Sequence, residues 1–412
     1  MKRLISAILL LICVMTGFAQ SAVDNDFEEL STEDQSLLIK AIGMVDDGLS
    51  EAVTSDFDYL VSKYPKNYIV RYERAYNNAL LERYGEVIKD QKLLLNHKLA
   101  NERTYQLIGN AYDFTGNRKK AADVYRNGLK RFPQSGSLNM EIGNLYFLDK
   151  DYNKALEYYN LGIVAEPNFA SNYYRAAMLY LCTDAAKVWG LVYAESAIML
   201  APSNESRHQE LAETMMDCLK ESITMSFDGE SRLSVKLVPG QDIKIDDKSK
   251  TVYLGFPGIY EAAIMKPLMK MQLKKIPFTA NIQQLIDLRR GAVENYYSAT
   301  GNLFGSSMYL LEFQKKIIDA GHWDAYNYFL FMPSNPEEFG EWYESHSDEL
   351  NAFIDWYNND PYILGDGRSV DIMQIYNHYR PITLPEALRI QASLVADKKL
   401  TDSENNTEVS AD

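Results

Sequence analysis

The chain has 412 residues, and its 42 lysines and arginines are outnumbered by 57 aspartates and glutamates, which gives a formal net charge of −15 at pH 7. The positive residues are scattered along predicted helix faces between carboxylates. A surface that binds phosphates needs clustered lysines and arginines. The charge pattern therefore argues against nucleic acid as a partner.

Residues 1–19 have the composition of a secretory signal peptide. Lys2 and Arg3 precede an apolar run over 4–15, and small residues follow up to Ala19. The run is shorter than the roughly 20 apolar residues that cross a bilayer, which makes an uncleaved anchor the less favoured alternative. We expect an exported protein, periplasmic or associated with the cell surface or envelope. Its leader is cleaved near Ala19, and the mature chain has no transmembrane span.

The three cysteines bear on lipid attachment and on disulfides. Cys13 lies inside the apolar run behind Ile12, whereas a lipidated cysteine follows a small residue. Cys182 and Cys218 remain after cleavage of the leader. A bridge between them needs favourable local geometry, and we favour two buried thiols.

Two flanking segments are predicted to be unstructured. Residues 20–31 are acidic with little apolar periodicity, and the polar tail 396–412 lacks aromatic residues. Ser31 or Thr32 is the expected cap of the first helix, because each offers a side-chain oxygen just before an apolar run.

One helix-turn-helix pattern occurs twice between residues 102 and 169, with a period of 34 along the sequence. Seven of eight compared positions match in residue type. The first copy has Tyr105, Ile108, Gly109, Tyr112, Ala121, Tyr125, Gly128 and Pro133, and the second has Asn139, Ile142, Gly143, Tyr146, Ala155, Tyr159, Gly162 and Pro167.

The small residues and prolines of this pattern have a physical reading. Two helices approach closely only where one side chain is small, so we expect crossings at Gly109 against Ala121 and at Gly143 against Ala155. Pro133, like its counterpart in the second copy, ends the second helix of its unit.

The same phase extends in both directions along the chain. Five units are predicted, over 34–67, 68–101, 102–135, 136–169 and 170–204. The alternative is a plain helical bundle with chance spacing, which the number of matched positions disfavours.

These repeats resemble the tetratricopeptide (TPR) family. The resemblance implies a mainly α fold, in which an α-solenoid forms a right-handed superhelix of helical hairpins. It also implies a non-catalytic scaffold that binds a protein or peptide in a concave groove lined by the first helices. The implied peptide-binding residues are Tyr72, Tyr76, Arg103, Gln106, Asn110, Phe114, Asn144, Phe147 and Tyr174, with Met178 beside the last.

The identity of the groove residues narrows the ligand. The family's clamp for acidic chaperone tails needs a lysine where Gln106 and Met140 stand, so that ligand is disfavoured. Asn110 and Asn144 recur at one phase and could pair with both N–H and C=O groups of an extended peptide. They could equally hydrogen-bond within the solenoid.

The second half of the chain changes character after Pro202. Residues 205–221 predict a capping helix, and alternation of apolar and polar residues from Leu233 to Phe256 predicts a small β-hairpin insert of two or three strands. Four helices follow, at about 259–274, 280–299, 307–332 and 336–358, the third with a weak echo of a repeat. The predicted domains are 1–19, 20–31, 32–221 (solenoid and cap), 222–258 (insert), 259–395 (helical C-terminal domain) and 396–412.

Aromatic residues are dense in this C-terminal domain. Aromatic surfaces bind sugars, and some starch-binding outer-membrane proteins use TPR-like helices, so glycan capture is an alternative function. A core stripe is favoured, because the aromatic side chains of the last helix recur at helical steps. The exposure of Trp323, Trp342 and Trp356 discriminates between the two.

The sequence offers no recognisable catalytic motif, metal site or cofactor site. None of His97, His208, His322, His346 and His378 has the paired helical spacing of a zinc site. The turn at 365–368 lacks the acidic residue that would end a calcium loop. An enzyme with an unrecognised C-terminal site remains the least favoured hypothesis; it would need a pocket that joins His322 or His346 to carboxylates.

Overall fold

A computed structural model describes residues 28–183, 186–227, 232–238, 243–246, 251–254, 256–301, 308–370 and 382–383. The chain forms two compact units that divide between Ala155 and Leu156, and each is described by itself. The predicted leader, residues 20–27 of the acidic segment and the tail 396–412 lie outside the described residues.

The first unit is built from helices that follow the predicted period. The first helices of three successive repeats, α3, α6 and α8, have 13 residues each and begin at Tyr68, Glu102 and Gly136, one period apart. The helices are α1 (Thr32–Asp46), α2 (Thr54–Lys63), α3 (Tyr68–Leu80), α4 (Tyr84–Lys89), α5 (Gln91–Asn96), α6 (Glu102–Phe114), α7 (Arg118–Arg131), α8 (Gly136–Leu148) and α9 (Tyr152–Ala165), with a 3₁₀ turn at Glu51–Val53. The predicted helical hairpins are confirmed, and α9 continues into the second unit.

Caps at the start of the first helices repeat with the same spacing. Asn67, Asn101 and Ser135 are each one period apart, and each accepts a hydrogen bond from a backbone N–H in the first turn of its helix. Ser31 caps α1 in the same way, which confirms that prediction; the N–H of Asp34 is the donor.

The last residues of the acidic segment are structured, contrary to expectation. The backbone N–H of Lys66 donates to a carboxylate oxygen of Glu28 over 2.8 Å, and the Asn67 side chain donates to the Glu28 carbonyl over 2.8 Å. Leu30 is buried. Composition did not predict this, because a few contacts to the end of the first repeat are enough to order a short segment.

The turn between the two helices contains one left-handed residue in each of the first four repeats. Gly48, Glu82, Gly116 and Lys150 follow one another at the repeat period, with φ of 81°, 58°, 80° and 62°. Glycine adopts this conformation without strain, whereas a side chain disfavours it. The turn geometry has thus been kept in two repeats that lack the glycine.

The close approach predicted at Gly109 exists, but an aromatic ring makes it. A methyl group on Gly109 would lie 2.0 Å from Cε1 of Tyr125. Ala121 is fully buried nearby on the same second helix. The small residue therefore creates space for the tyrosine ring.

The ends of the second helices are placed as predicted in two repeats and differently in a third. Pro133 and Pro167 each stand two residues beyond their helix. In the second repeat the second helix is broken into α4 and α5 at Asp90. The Asp90 carboxylate is buried, and Arg71 and Arg74 of α3 bind it.

The second unit continues from the fourth repeat to the described C-terminal residues. Its helices are α10 (Ala170–Leu181), α11 (Lys187–Leu200), α12 (Glu205–Ser222), α13 (Phe256–Leu273), α14 (Ile282–Thr300), α15 (Tyr309–Asp319), α16 (Trp323–Phe331) and α17 (Pro336–Asn359). The pair α10 and α11 confirms the fifth repeat, and α12 has the bounds expected of the capping helix.

The helix α11 is buried on all sides. Thirteen of its fourteen residues are buried, whereas a surface helix hides one stripe. It contacts α10, α12 and α13. The fifth repeat is therefore enclosed by the C-terminal helices of its own unit.

The β-insert has more strands than predicted. β1 (Ile223–Ser226) pairs antiparallel with β2 (Arg232–Val235), with Ile223 opposite Val235. A separate sheet has the order β3 (Ile243–Asp246), β4 (Thr251–Leu254) and β5 (Ile382–Thr383). The fifth strand could not be foreseen, because its partner β4 lies far earlier in the chain.

The C-terminal helices agree with prediction except in the third segment and at His346, where a non-helical φ of −127° kinks α17. The predicted helix 307–332 is two helices, because Gly321 takes a φ of 79° between α15 and α16. Pro267 lies inside α13 and donates no hydrogen bond to the Ala263 carbonyl. The side chain of Asn295 on α14 donates to that carbonyl over 2.9 Å, so the proline is accommodated.

The two described cysteines are free thiols, as favoured from the sequence. Cys218 is buried, and burial raises its pKa to about 11. Cys182 is exposed, so the prediction of two buried thiols is wrong for it. It caps the C-terminus of α10, where the helix face no longer dictates burial.

Candidate peptide-binding surface

The first helices in the first unit lie side by side, because α6 contacts both α3 and α8. The inner face of α6 is buried, and Ile108 and Tyr112 are among the side chains on that face. The eight predicted binding residues of this unit lie on the other positions and are all half-buried or exposed: Tyr72, Tyr76, Arg103, Gln106, Asn110, Phe114, Asn144 and Phe147. They are accessible on three neighbouring helices.

Asn110 is engaged within its own repeat. The hydroxyl of Tyr125 donates to its side-chain oxygen over 2.6 Å. Burial raises the pKa of Tyr125, so the hydroxyl keeps its proton and remains a donor. The acceptor end of this amide is therefore used to hold the ring that fills the space beside Gly109.

A carboxylate that the sequence analysis missed lies among the predicted residues. Glu141 accepts a hydrogen bond from the Gln106 side chain over 2.7 Å and another from the Asn144 side chain over 2.9 Å. The bond from Gln106 joins α6 to α8, whereas Asn144 and Glu141 both lie on α8. Glu141 was overlooked because its counterpart one repeat earlier is the apolar Leu107.

Aromatic side chains mark the accessible ends of these helices. Tyr72 stacks with Tyr68, with ring centroids 6.0 Å apart. Phe114 is 66% exposed and stacks on Tyr84 at 4.8 Å. Large rings on a surface are a common feature of interfaces. The aromatic part of the predicted lining is thus accessible, whereas its amides are partly used.

In the second unit, Tyr174 and Met178 are half-buried on α10. The Tyr174 hydroxyl donates to Glu210 of α12, and the guanidinium of Arg207 lies 4.9 Å above its ring. Burial, then the bond to Glu210, raises the pKa of Tyr174. The ring is held in place by α12 and presents its remaining edge to solvent.

The tryptophans of the C-terminal helices do not form a flat exposed pair. Trp323 is 1% exposed, and its indole N–H donates to the Ile286 carbonyl over 3.1 Å. Trp342 is half-buried and stacks on Tyr328 at 4.2 Å. Trp356 is half-buried against Phe313. The predicted core stripe on α17 is confirmed at Leu350 and Phe353, and weakens towards the exposed Tyr343.

The aromatic rings of α16 surround an arginine of α14. The guanidinium of Arg289, on α14, lies 5.4 Å from the Trp323 ring, 5.5 Å from the Tyr326 ring and 5.4 Å from the Phe331 ring. Such rings attract a cation through their faces. The chain's own arginine occupies this aromatic cage.

The same arginine belongs to a buried polar cluster that the sequence did not predict. Glu195 on α11 forms an ion pair with Arg289 and accepts hydrogen bonds from Tyr326 and, over 2.6 Å, from Gln314. Burial lowers the pKa of Arg289, but Glu195 together with Tyr326 and Tyr260 more than offsets this, and the net shift is upward. Four helices, α11, α14, α15 and α16, therefore meet at one carboxylate.

A cleft described in the second unit does not bring a described histidine together with carboxylates. A cleft of about 370 Å³ between α13 and α14 is lined by Lys266, Lys270, Arg290 and Asp287 among others, without a histidine. His322 packs on Trp356. Within the described ranges, no group of three His, Cys, Asp or Glu side chains could hold a metal ion. His378 lies outside the described residues.

The paired helices, their repeated caps and their left-handed turns define a class: the repeats form an α-solenoid of the TPR kind, as the two central repeats predicted. No protein-family model and no curated protein matches the sequence. Of the helices that the structure describes, none is both long and apolar enough to cross a membrane.

Several solved structures of TPR proteins are similar to this chain. A thermophilic TPR protein of Thermus thermophilus, TTC0263, is 18% identical with a TM-score of 0.38, over 44% of this chain and 99% of that one. MamA is 13% identical with a TM-score of 0.34, over 43% and 99%. YrrB, a TPR protein with an unusual peptide-binding site, is 13% identical with a TM-score of 0.32, over 43% and 91%.

Proposed function

We propose that this protein is an exported, non-catalytic scaffold that binds a protein or peptide segment along the first helices of its repeats. One observation supports this most directly. The eight predicted residues of the first unit keep accessible side chains on three adjacent helices, whose other faces are buried. Repeats that stack in this way provide extended binding surfaces.

The chemistry of the surface favours a ligand that is not acidic. Glu141 places a negative charge between Gln106 and Asn144, and Met140 replaces the lysine of the clamp for acidic tails. A carboxylate-rich peptide would meet like charge there. Uncharged or basic segments fit this lining better.

The two rival functions receive less support. Glycan capture needed an exposed tryptophan platform, and the three tryptophans of the C-terminal helices are buried or stacked on neighbouring rings. Catalysis needed a pocket that joins His322 or His346 to carboxylates, and His346 instead stacks on Trp342.

Export is part of the proposal and has its own test. Mass spectrometry of the chain isolated from the cell envelope is expected to find an N-terminus near Gln20. Replacing Lys2 and Arg3 by glutamate is expected to retain the uncleaved chain in the cytoplasm, because the leader needs its positive end. An envelope-associated chain that still begins at Met1 would contradict cleavage.

Binding is tested with a photocrosslinking amino acid at Arg103, in the native envelope. Arg103 is exposed on α6 and belongs to the predicted lining. Arg126 is an exposed arginine on the second helix of the same repeat and is the matched control site. Capture of a defined chain from Arg103 but not from Arg126 is expected.

A second arm asks whether the polar residues of the surface take part. Asn144→Ala removes one donor to Glu141 without touching the Tyr125 ring, and we expect weaker capture from Arg103. Equal capture at Arg103 and Arg126, or none at either, would overturn the proposed binding surface.

A further inference from the structure

One repeat position leaves a large apolar side chain exposed in three successive repeats. Leu80, Phe114 and Leu148 are each one period apart, each is the last residue of a first helix, and they are 49%, 66% and 48% exposed. The fold buries most other large apolar positions of these helices. Packing alone does not require these three, and exposed apolar patches of this kind mark interaction sites.

Two pairs of aromatic rings enlarge the exposed apolar surface at these turns. Phe114 stacks on Tyr84 at 4.8 Å with 18° between the planes. Phe147, 41% exposed, lies 5.6 Å from the ring of Tyr152, which is 47% exposed. We call these six residues the turn-edge ridge: Leu80, Tyr84, Phe114, Phe147, Leu148 and Tyr152. All six belong to the first unit.

Three ion pairs lie beside the ridge. Arg118 of α7 binds Asp149 of the next turn over 3.0 Å, and Lys154 binds Asp151 over 3.3 Å. Arg83 binds Glu51 over 2.8 Å. A charged ligand would have to compete with these ion pairs, so an uncharged apolar ligand is electrostatically the better match.

The spacing of the ridge selects a ligand conformation. The ridge residues stand on neighbouring packed helices, whose axes are typically about 8–10 Å apart. A polyproline II helix rises about 3.1 Å per residue with three residues per turn, so every third side chain recurs on one face after about 9 Å. In a β-strand, residues i and i+3 point to opposite faces. A polyproline II segment therefore presents one side chain to each repeat, and a strand does not.

We infer that the turn-edge ridge binds an uncharged, proline-rich segment in the polyproline II conformation, with an apolar side chain at every third residue. Such segments dock on aromatic-lined surfaces elsewhere and lose little entropy on binding. The inference rests on the proposed function and specifies its ligand: the ridge anchors the segment, and the residues along the first helices contact what lies beside it.

The test uses the full chain and a fluorescent peptide of five Leu-Pro-Pro triplets. A peptide of five Leu-Gly-Ser triplets keeps the leucine spacing without the polyproline II preference, and a glutamate-rich peptide tests charge. Fluorescence anisotropy is expected to show binding of the proline-rich probe at least ten-fold tighter than of either control.

Variants locate the binding. Phe114→Ser with Leu148→Ser is expected to weaken the probe at least ten-fold while leaving thermal unfolding nearly unchanged, because both side chains are exposed. The matched control is Leu161→Ser with Val164→Ser, which removes two side chains that are each 43% exposed on α9, and it should bind as the parent does. Equal binding by the ridge variant, or equal binding of the Leu-Gly-Ser peptide, overturns the inference.

The two proposals fail differently. Crosslinking from Arg103 without binding of the Leu-Pro-Pro probe leaves the scaffold function standing and rejects the ridge ligand. Loss of both rejects both. Binding of phosphatidylcholine vesicles that the ridge variant abolishes, with no binding of the probe, would assign the ridge to a membrane surface and likewise reject the inference.

Discussion

Two glycines of neighbouring repeats differ in the room that they leave for a methyl group. On Gly109 it would lie 2.0 Å from the Tyr125 ring, whereas on Gly85, within α4, it would meet nothing within 4 Å. Gly109→Ala is expected to lower the free energy of unfolding by about 1–3 kcal/mol through overpacking. Gly85→Ala is expected to raise it by up to about 1 kcal/mol, since alanine favours the helix. Urea unfolding followed by circular dichroism measures both; effects of the same sign would contradict this reading.

At the left-handed turn residues, substitution by glycine is expected to stabilise the fold. Glu82 and Lys150 hold φ of 58° and 62°, where their counterparts are Gly48 and Gly116. Glu82→Gly and Lys150→Gly should each stabilise the fold by about 0.5–1 kcal/mol, because the relief of strain exceeds the entropic cost of glycine. The control Glu86→Gly, inside α4, should destabilise by about 1 kcal/mol. Destabilisation by all three would show that the turns are not strained.

The buried His208 gives the stability a pH dependence. Burial lowers its pKa, although its ring bonds to the Leu330 carbonyl at 3.0 Å. A histidine whose pKa is lower in the folded state than in the unfolded chain binds a proton more readily in the unfolded chain. Proton binding therefore favours unfolding. Its neutral form is therefore fully stabilising above about pH 6.5 and progressively less so as the pH falls. The unfolding midpoint measured from pH 8 to pH 5 should fall less steeply in His208→Gln than in the parent.

At the scale of helices, the cluster around Glu195 joins the fifth repeat to three C-terminal helices. Arg289→Met would leave the Glu195 carboxylate buried without its cation, and we expect a loss of about 3–5 kcal/mol. Glu195→Leu together with Arg289→Met should recover part of that loss, since no buried charge then remains. A double-mutant cycle on thermal unfolding measures the coupling, and simple additivity would refute the pairing.

The same cluster shows why some elements could be predicted and others could not. The repeats were foreseen because their signals are local: a glycine, an aromatic residue and a proline at fixed distances define each hairpin. Glu195 and Arg289 are far apart in the sequence, and each alone has the composition of a surface charge. Only the fold brings them together. The split of α15 from α16 at Gly321 was a misjudged local signal, because glycine inside a helical pattern is often tolerated.

Across the whole molecule, the sequence identified the scaffold better than the site. The first helices of three repeats begin and end one period apart, since capping and turn residues recur with the period. The accessible faces of the first helices followed from the resemblance to TPR proteins. Glu141 and the engagement of Asn110 did not, because hydrogen bonding between side chains depends on rotamers that no spacing encodes.

Because α11 is enclosed, the repeat array is closed to further hairpins at its α11 end. A solenoid lengthens by adding hairpins, and each addition needs an open helix face to stack on. Helices α12 and α13 occupy that face of α11, so duplication of a repeat after the fifth would have to displace them. Duplication of a central hairpin such as 102–135 preserves every interface of the closed end. During evolution, central repeats could therefore be gained or lost while the last repeat stayed the same. Such changes would alter the length of ligand that the array contacts.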